Sequence, residues 1–201
     1  MTLPFARTYN EAILFIRLRP CGCGETEARW QDLPAAVGGQ PVRYFTGNCE
    51  NCQRPRGFTI AMPEDAKQTP DAVFGTGDEP SHVIDPGEWL GIADLYGERA
   101  TEVLSGGDLD TDELNVVYYA LSARVAALDE ILRFLGDADS VPEWMFRSIP
   151  GRAVYEASPE RFSRGYLFGQ QAALRANLQT FLADLAAGDV PGHVVENADD
   201  R

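Results

Sequence analysis

Residues 10–24 read NEAILFIRLRPCGCG. From Asn10 to Arg19 the apolar positions alternate. Ala12, Leu14, Ile16 and Leu18 fall on one side, Ile13, Phe15, Arg17 and Arg19 on the other, which predicts a strand. That strand runs into Cys21-Gly22-Cys23-Gly24, and after 25 intervening residues a second pair follows as Cys49-Glu50-Asn51-Cys52. Glu25–Leu33, Val42–Gly47 and Phe58–Met62 are predicted as shorter strands, with Gly38-Gly39 as the hairpin turn between two of them. On this reading each cysteine pair sits at a reversal, one between the first and second strands and one between the third and fourth.

Four thiolates at two reversals can converge on one tetrahedral ion. A closed four-cysteine site leaves no open coordination position for chemistry. Gly22 and Gly24 supply the tight backbone that ligands one residue apart require. The expected cofactor is therefore a structural Zn2+ held by Cys21, Cys23, Cys49 and Cys52. Two disulfides, a redox pair and an iron–sulfur site are the alternatives. A disulfide framework suits a reducing compartment poorly. A zinc deaminase would need proline before Cys49 and an upstream acidic element, and Asn48 stands there instead. No catalytic residue is predicted, and His82 and His193 read as ordinary surface residues.

Beyond residue 62 the pattern changes. Residues 63–84 carry proline, glycine and acid without periodicity and read as a linker. Asp85 then offers an N-cap, Pro86 the first helical position and Glu88 the partner of a capping box, predicting a helix to about Leu104. A second helix is predicted from Asp112 to Leu135, on the stripe Leu114, Val117, Leu121, Val125, Leu128, Leu132 and Leu135. A connection containing Pro142 and Pro150 is expected next, with a helical turn around Trp144–Phe146. A third long helix starts at Ser158-Pro159-Glu160 and closes at Gly188. The fold class is thus α+β, a small antiparallel zinc-knuckle β-sheet followed by an α-helical bundle of three long helices. The expected parts are a zinc-binding β module (1–62), a linker (63–84), a bundle (85–188) and a flexible acidic tail (189–201).

Charge divides along the same line. Residues 1–62 carry seven arginines and five acidic residues, whereas residues 63–201 carry ten basic and 26 acidic residues. The negative part repels nucleic acid and anionic membranes and favours a basic protein partner, beyond its simple contribution to solubility. Within residues 63–115, 14 acidic residues face two basic ones, enough for an acidic interaction surface. Arg17 and Arg19 precede the first knuckle, and Arg54 and Arg56 follow the second. Each pair has period-two spacing and is expected to share a strand face beside the ion, as charge compensation or as an anion-binding patch. Arg152, Tyr155 and Arg161 are candidates for a pocket or an interface, or for a helix junction locked by hydrogen bonds. Phe45, Trp144 and Phe146 are candidates for a contact surface.

These readings order the possible functions. First comes a non-enzymatic cytoplasmic protein, zinc-stabilised, presenting an acidic surface to a basic protein. Second is a zinc-ribbon regulator touching nucleic acid through the four arginines. Third is an enzyme with a pocket between sheet and helices. No membrane span is expected, because no apolar run approaches the ~18 residues one needs. Oligomeric state is left open.

Three segments together resemble a group of actinobacterial proteins with an N-terminal cysteine-knuckle module and a helical C-terminal part. They are Arg19-Pro20-Cys21-Gly22-Cys23-Gly24, Asp85-Pro86-Gly87-Glu88-Trp89-Leu90, and Gly151-Arg152-Ala153-Val154-Tyr155 with Pro159-Glu160-Arg161-Phe162. The resemblance spans residues 9–185. It implies the two-part organisation and, through proximity to toxin loci, an immunity-type role. It carries no functional residues over.

Overall fold

The computed structural model describes residues 3–66, 69, 72–107 and 109–187. The fold is α+β, with a three-stranded antiparallel sheet followed by helices. The predicted tail and Gly188 lie outside the described residues, as do Lys67, Asp108 and His193.

The first element overturns the reading of residues 10–19. Tyr9–Arg17 is a helix, α1, and not a strand. Thr8 caps it by accepting the Glu11 backbone N–H, and the Glu11 carboxylate reaches back to the Arg7 N–H at 2.6 Å. Thr8-x-x-Glu11 is a capping-box pattern displaced by one residue on its return bond. Alternation misled because α1 is enclosed: Ala12, Leu14 and Ile16 are buried, and Ile13 and Phe15 are packed against the core. A helix apolar on nearly every side satisfies a period-two template by accident.

The sheet comprises β1 (Gln31–Val37), β2 (Gln40–Asn48) and β3 (Pro55–Ala61), in the order β1-β2-β3. Gly38 and Gly39 turn the first hairpin with φ of 58° and 83°, the left-handed pair that a two-residue turn demands. Leu33 pairs with Tyr44, and Asp32 with Phe45. One sheet face packs on α1, through Tyr9 against Phe45 (5.7 Å between ring centroids) and Phe15 against Phe58 (6.4 Å). Tyr9 also donates its hydroxyl to Asp32, which pairs with Arg43. On the other face Leu33 is 65% exposed.

Three longer helices and a short one follow. Helix α2 (Pro86–Leu104) begins on Asp85, with both halves of the capping box in place. Helix α3 (Thr111–Arg133) begins on a second capping box, Asp110 with Glu113. It packs along α2, and its buried positions include the small residues Ala120, Ala123 and Ala127 beside Val117, Leu128 and Ile131. A single 3-10 turn at Glu143–Met145 satisfies the expectation near Trp144. Helix α4 (Ile149–Ala157) occupies what the sequence reading left as a connection, because Pro150 stands in its first turn, where a missing N–H costs nothing. A 3-10 turn at Pro159–Phe162 precedes the last helix, α5 (Arg164–Ala187), so the long helix starts six residues later than Ser158 suggests.

One hydrophobic cluster runs from α1 and the sheet through Ile84, Trp89 and Ile131 to Phe162 and Leu174. A smaller one gathers Leu109, Leu114, Val117 and Phe181 at the far end of α3. Phe45 and Phe146 are fully buried core residues rather than a contact surface, whereas Trp144 is 71% exposed. Among the described residues no helix is long and apolar enough to cross a membrane.

Candidate metal centre

The four cysteines come together although two elements separate them in sequence. Cys21 and Cys23 lie in the loop after α1, so the first knuckle follows a helix rather than a strand. Cys49 and Cys52 form the turn between β2 and β3. In the first knuckle the Gly24 N–H closes on the Cys21 carbonyl, and in the second the Gln53 N–H closes on the Cys49 carbonyl (2.8 and 3.0 Å). The two loops are tied to each other by a bridge between Ala28 and Cys49 and by the Glu50 N–H on the Glu27 carbonyl.

All four Sγ atoms lie within 4.8 Å of one another. Cys21 to Cys52 and Cys23 to Cys49 are each 3.5 Å. A tetrahedron with metal–sulfur bonds of about 2.3 Å has edges of about 3.8 Å, so the set fits a metal ion. All four are free cysteines, with sulfurs well beyond the ~2.05 Å of a disulfide. The thiols are not equivalent. A backbone N–H from Glu25 lowers the pKa of Cys23. At Cys52 the Arg54 N–H acts in the same direction, but desolvation and the neighbouring thiols outweigh it and push the pKa up to about 11. Four such sulfurs share one site as thiolates only around a cation.

The arginines do not form the predicted patch. Arg17 and Arg19 lie at and just beyond the end of a helix, not on one strand face, and their side chains diverge. Arg17 faces Glu27 at 3.6 Å in the open. Arg19 lies on the Phe15 ring and donates to the carbonyls of Phe15 and Val83. Arg56 is a strut, donating to the carbonyls of Thr26 (2.8 Å) and Arg19 (2.5 Å) and so bracing the first knuckle from β3. Arg54 alone reaches over the first knuckle, against Gly22, without an ion pair among the described residues.

Arg152, Tyr155 and Arg161 gather around the Phe146–Phe162 packing but spend their polar groups on different partners. Arg152 donates to the Phe146 carbonyl and faces Glu143 at 3.8 Å. Tyr155 stacks on Phe146, 4.4 Å between centroids. Arg161 forms a two-pronged pair with Asp94 of α2 (2.7 and 2.8 Å) that raises its pKa. Their contacts lock helices together.

Two charged assemblies escaped the sequence reading. Asp85 is buried and does more than cap α2. Its second oxygen accepts the N–H groups of Arg147 (3.0 Å) and Ser148 (2.6 Å) at the entrance of α4. The two helices touch through glycine: a Cβ on Gly87 would strike the Gly151 backbone, and one on Gly151 would strike the Asp85 carboxylate. The segments 85–90 and 151–155 are therefore the two sides of one junction. The other assembly is buried ion pairing among Arg7, Glu11, Glu130 and Arg133. Arg7 spans Glu11 (2.6 Å) and Glu130 (2.5 Å), and Gly75 lies directly over the cluster. The local signals were the capping box at Asp85-x-x-Glu88 for the first and, for the second, the i,i+4 and i,i+3 spacing of Arg7 with Glu11 and of Glu130 with Arg133. No family model, curated protein or solved structure matches this chain.

Proposed function

We propose that this chain is a non-enzymatic interaction protein, stabilised by a structural zinc ion, that presents an acidic helical surface to a basic protein partner. An immunity-type role is its most concrete form. The zinc assignment rests on the donor set, because four cysteine sulfurs with no fifth donor among the described residues match a structural site.

The observation that carries the interaction is the composition of the α2–α3 hairpin near its loop. Glu98, Glu102, Asp110, Asp112 and Glu113 are exposed there, and Arg99, paired with Glu102, is the exposed cation among them. Leu95, Leu104 and Val116 are exposed large apolar residues on the same hairpin. Carboxylates interleaved with apolar contacts suit a basic surface that must also lose water on docking.

Affinity capture from the native host tests this reading, using the wild type and a Glu98→Arg/Asp112→Arg double variant. Neither residue caps a helix. The expected result is a basic protein recovered by the wild type, lost with the variant, and released by about 1 M salt, where the Debye length is about 3 Å. Recovery of no protein, of a partner indifferent to salt, or of nucleic acid alone would overturn it. Elemental analysis giving a metal other than zinc would overturn the cofactor assignment separately.

A further inference from the structure

At the opposite end of α2 from the acidic hairpin loop, a recess of about 300 Å3 opens where α1, α2 and α4 approach one another. Its apolar lining includes Phe15 and Val83, and its polar lining includes Arg19, His82, Glu88 and Arg147. The size is that of a small-molecule site.

The charges in its wall are unequally satisfied. Asp85 spends its oxygens on the backbone N–H groups of Glu88, Arg147 and Ser148. Glu88 accepts the Asp85 N–H at 3.1 Å. Both carboxylates thus sit against the first N–H groups of α2 and α4, whose positive dipole ends offset them. The guanidinium groups are served less well. Arg19 is flattened on Phe15 at 3.6 Å from the ring centroid, and its nearest carboxylate, Glu88 Oε1, is 3.6 Å away, beyond hydrogen-bond reach. Its side chain is only 32% exposed, and burial lowers its pKa against the pull of Glu88 and Asp85. Arg147 makes one side-chain hydrogen bond, to the Ser81 carbonyl at 3.2 Å, and no ion pair among the described residues. A guanidinium has five N–H donors, so both retain donors without an acceptor among the described residues.

We propose that this recess binds a small oxyanion, a carboxylate or phosphate group on a compact molecule, held between Arg19 and Arg147. An apolar portion of that molecule would rest on Phe15 and Val83. A cation would meet two guanidinium groups, and a neutral ligand would leave Arg19 with only the long contact to Glu88 at 3.6 Å to offset its burial. Two arginines supply paired donors that match the geometry of either oxyanion. The site is independent of the acidic docking surface, from which the length of α2 separates it.

The test is calorimetric titration of the metal-loaded full chain with inorganic phosphate and, separately, with benzoate. Saturable binding of at least one probe is expected, weakened tenfold or more in Arg147→Gln and unchanged in Arg175→Gln, which lies on α5 away from the recess. Benzoate alone would identify the ligand as an apolar carboxylate, and phosphate alone as a phosphate compound. Arg19→Gln should behave like Arg147→Gln. Should the Arg19 variant misfold, Arg147, which is exposed and holds a single carbonyl, still decides the matter. No saturable binding by either probe overturns the proposal, as does binding that Arg147→Gln retains in full or that Arg175→Gln removes.

Discussion

The cysteine knuckles and the α2–α4 junction do the same task with different materials. Each joins segments far apart in sequence, residues 21–23 to 49–52 in one case and residues 85–88 to 147–151 in the other. On the proposed reading the knuckles are held by an ion from outside the chain. The junction uses a buried carboxylate, backbone N–H groups and two glycines already present. A joint of the first kind is conditional on metal, redox state and pH. One of the second kind is fixed whenever the backbone is folded. The conditional joint lies beside the sheet and the unconditional one at the base of the helices.

The sharpest way to break this comparison is to remove the ion. Structural zinc contributes on the order of 10 kcal/mol in small metal modules. Cys49→Ser, which removes the buried ligand, should abolish stoichiometric metal binding. Amide protection around residues 21–56 should collapse while that of α2, α3 and α5 survives, as hydrogen exchange would show. Loss of protection throughout would mean that the two joints melt together. Acid should reach the same state, because protons compete with metal for thiolate. Glu88 and Glu130 act oppositely: burial raises their folded pKa values above the ordinary 4.5, so the native state holds more protons. Their contribution to stability is present below the ordinary value and lost as pH rises through the folded one. Metal content should therefore fall before helicity on acidification, measured by elemental analysis against far-UV circular dichroism.

Smaller effects probe the other joint. Asp85→Ala removes a cap and strands three N–H groups, and should cost about 4 kcal/mol in a urea melt. Gly151→Ala drives a methyl group into that carboxylate and should cost about 3 kcal/mol with metal content unchanged. Arg161→Ala loses a half-exposed pair with Asp94 and should cost about 1 kcal/mol. If either junction variant also released the metal, the two joints would be coupled.

Legibility followed the range of the interactions. The start of α2 could be read because Asp85, Pro86 and Glu88 act within one turn. The cysteine cluster could be read because the ligand type announces itself whatever lies between. Helix α1 was misread although Thr8 and Glu11 marked its start, because the enclosed run after them matched two periods at once. Helix α4 was missed because the stretch holding Pro142 and Pro150 was read as a connection, although Pro150 stands where a helix tolerates proline, in its first turn. The partners of the arginines were beyond reach: whether Arg56 meets a ligand or the Arg19 carbonyl is decided by how β3 lies against the first knuckle. Asp85 displayed its role as a cap but not its hold on Ser148, 63 positions away.

The buried ion cluster bears on how such a chain is made. Arg7 with Glu11 and Glu130 with Arg133 are neighbours on their own segments, each a neutral couple before the two meet. Joining them through Arg7 and Glu130 spans 123 positions. At a synthesis rate of about 5–20 residues per second, the first couple waits roughly 6–25 s for the second to be made. Through that interval α1 can neutralise its own charge but cannot bury it, and its apolar sides stay open to whatever else is nearby. Arriving pre-neutralised, the two halves then close without either carrying a bare charge into the core.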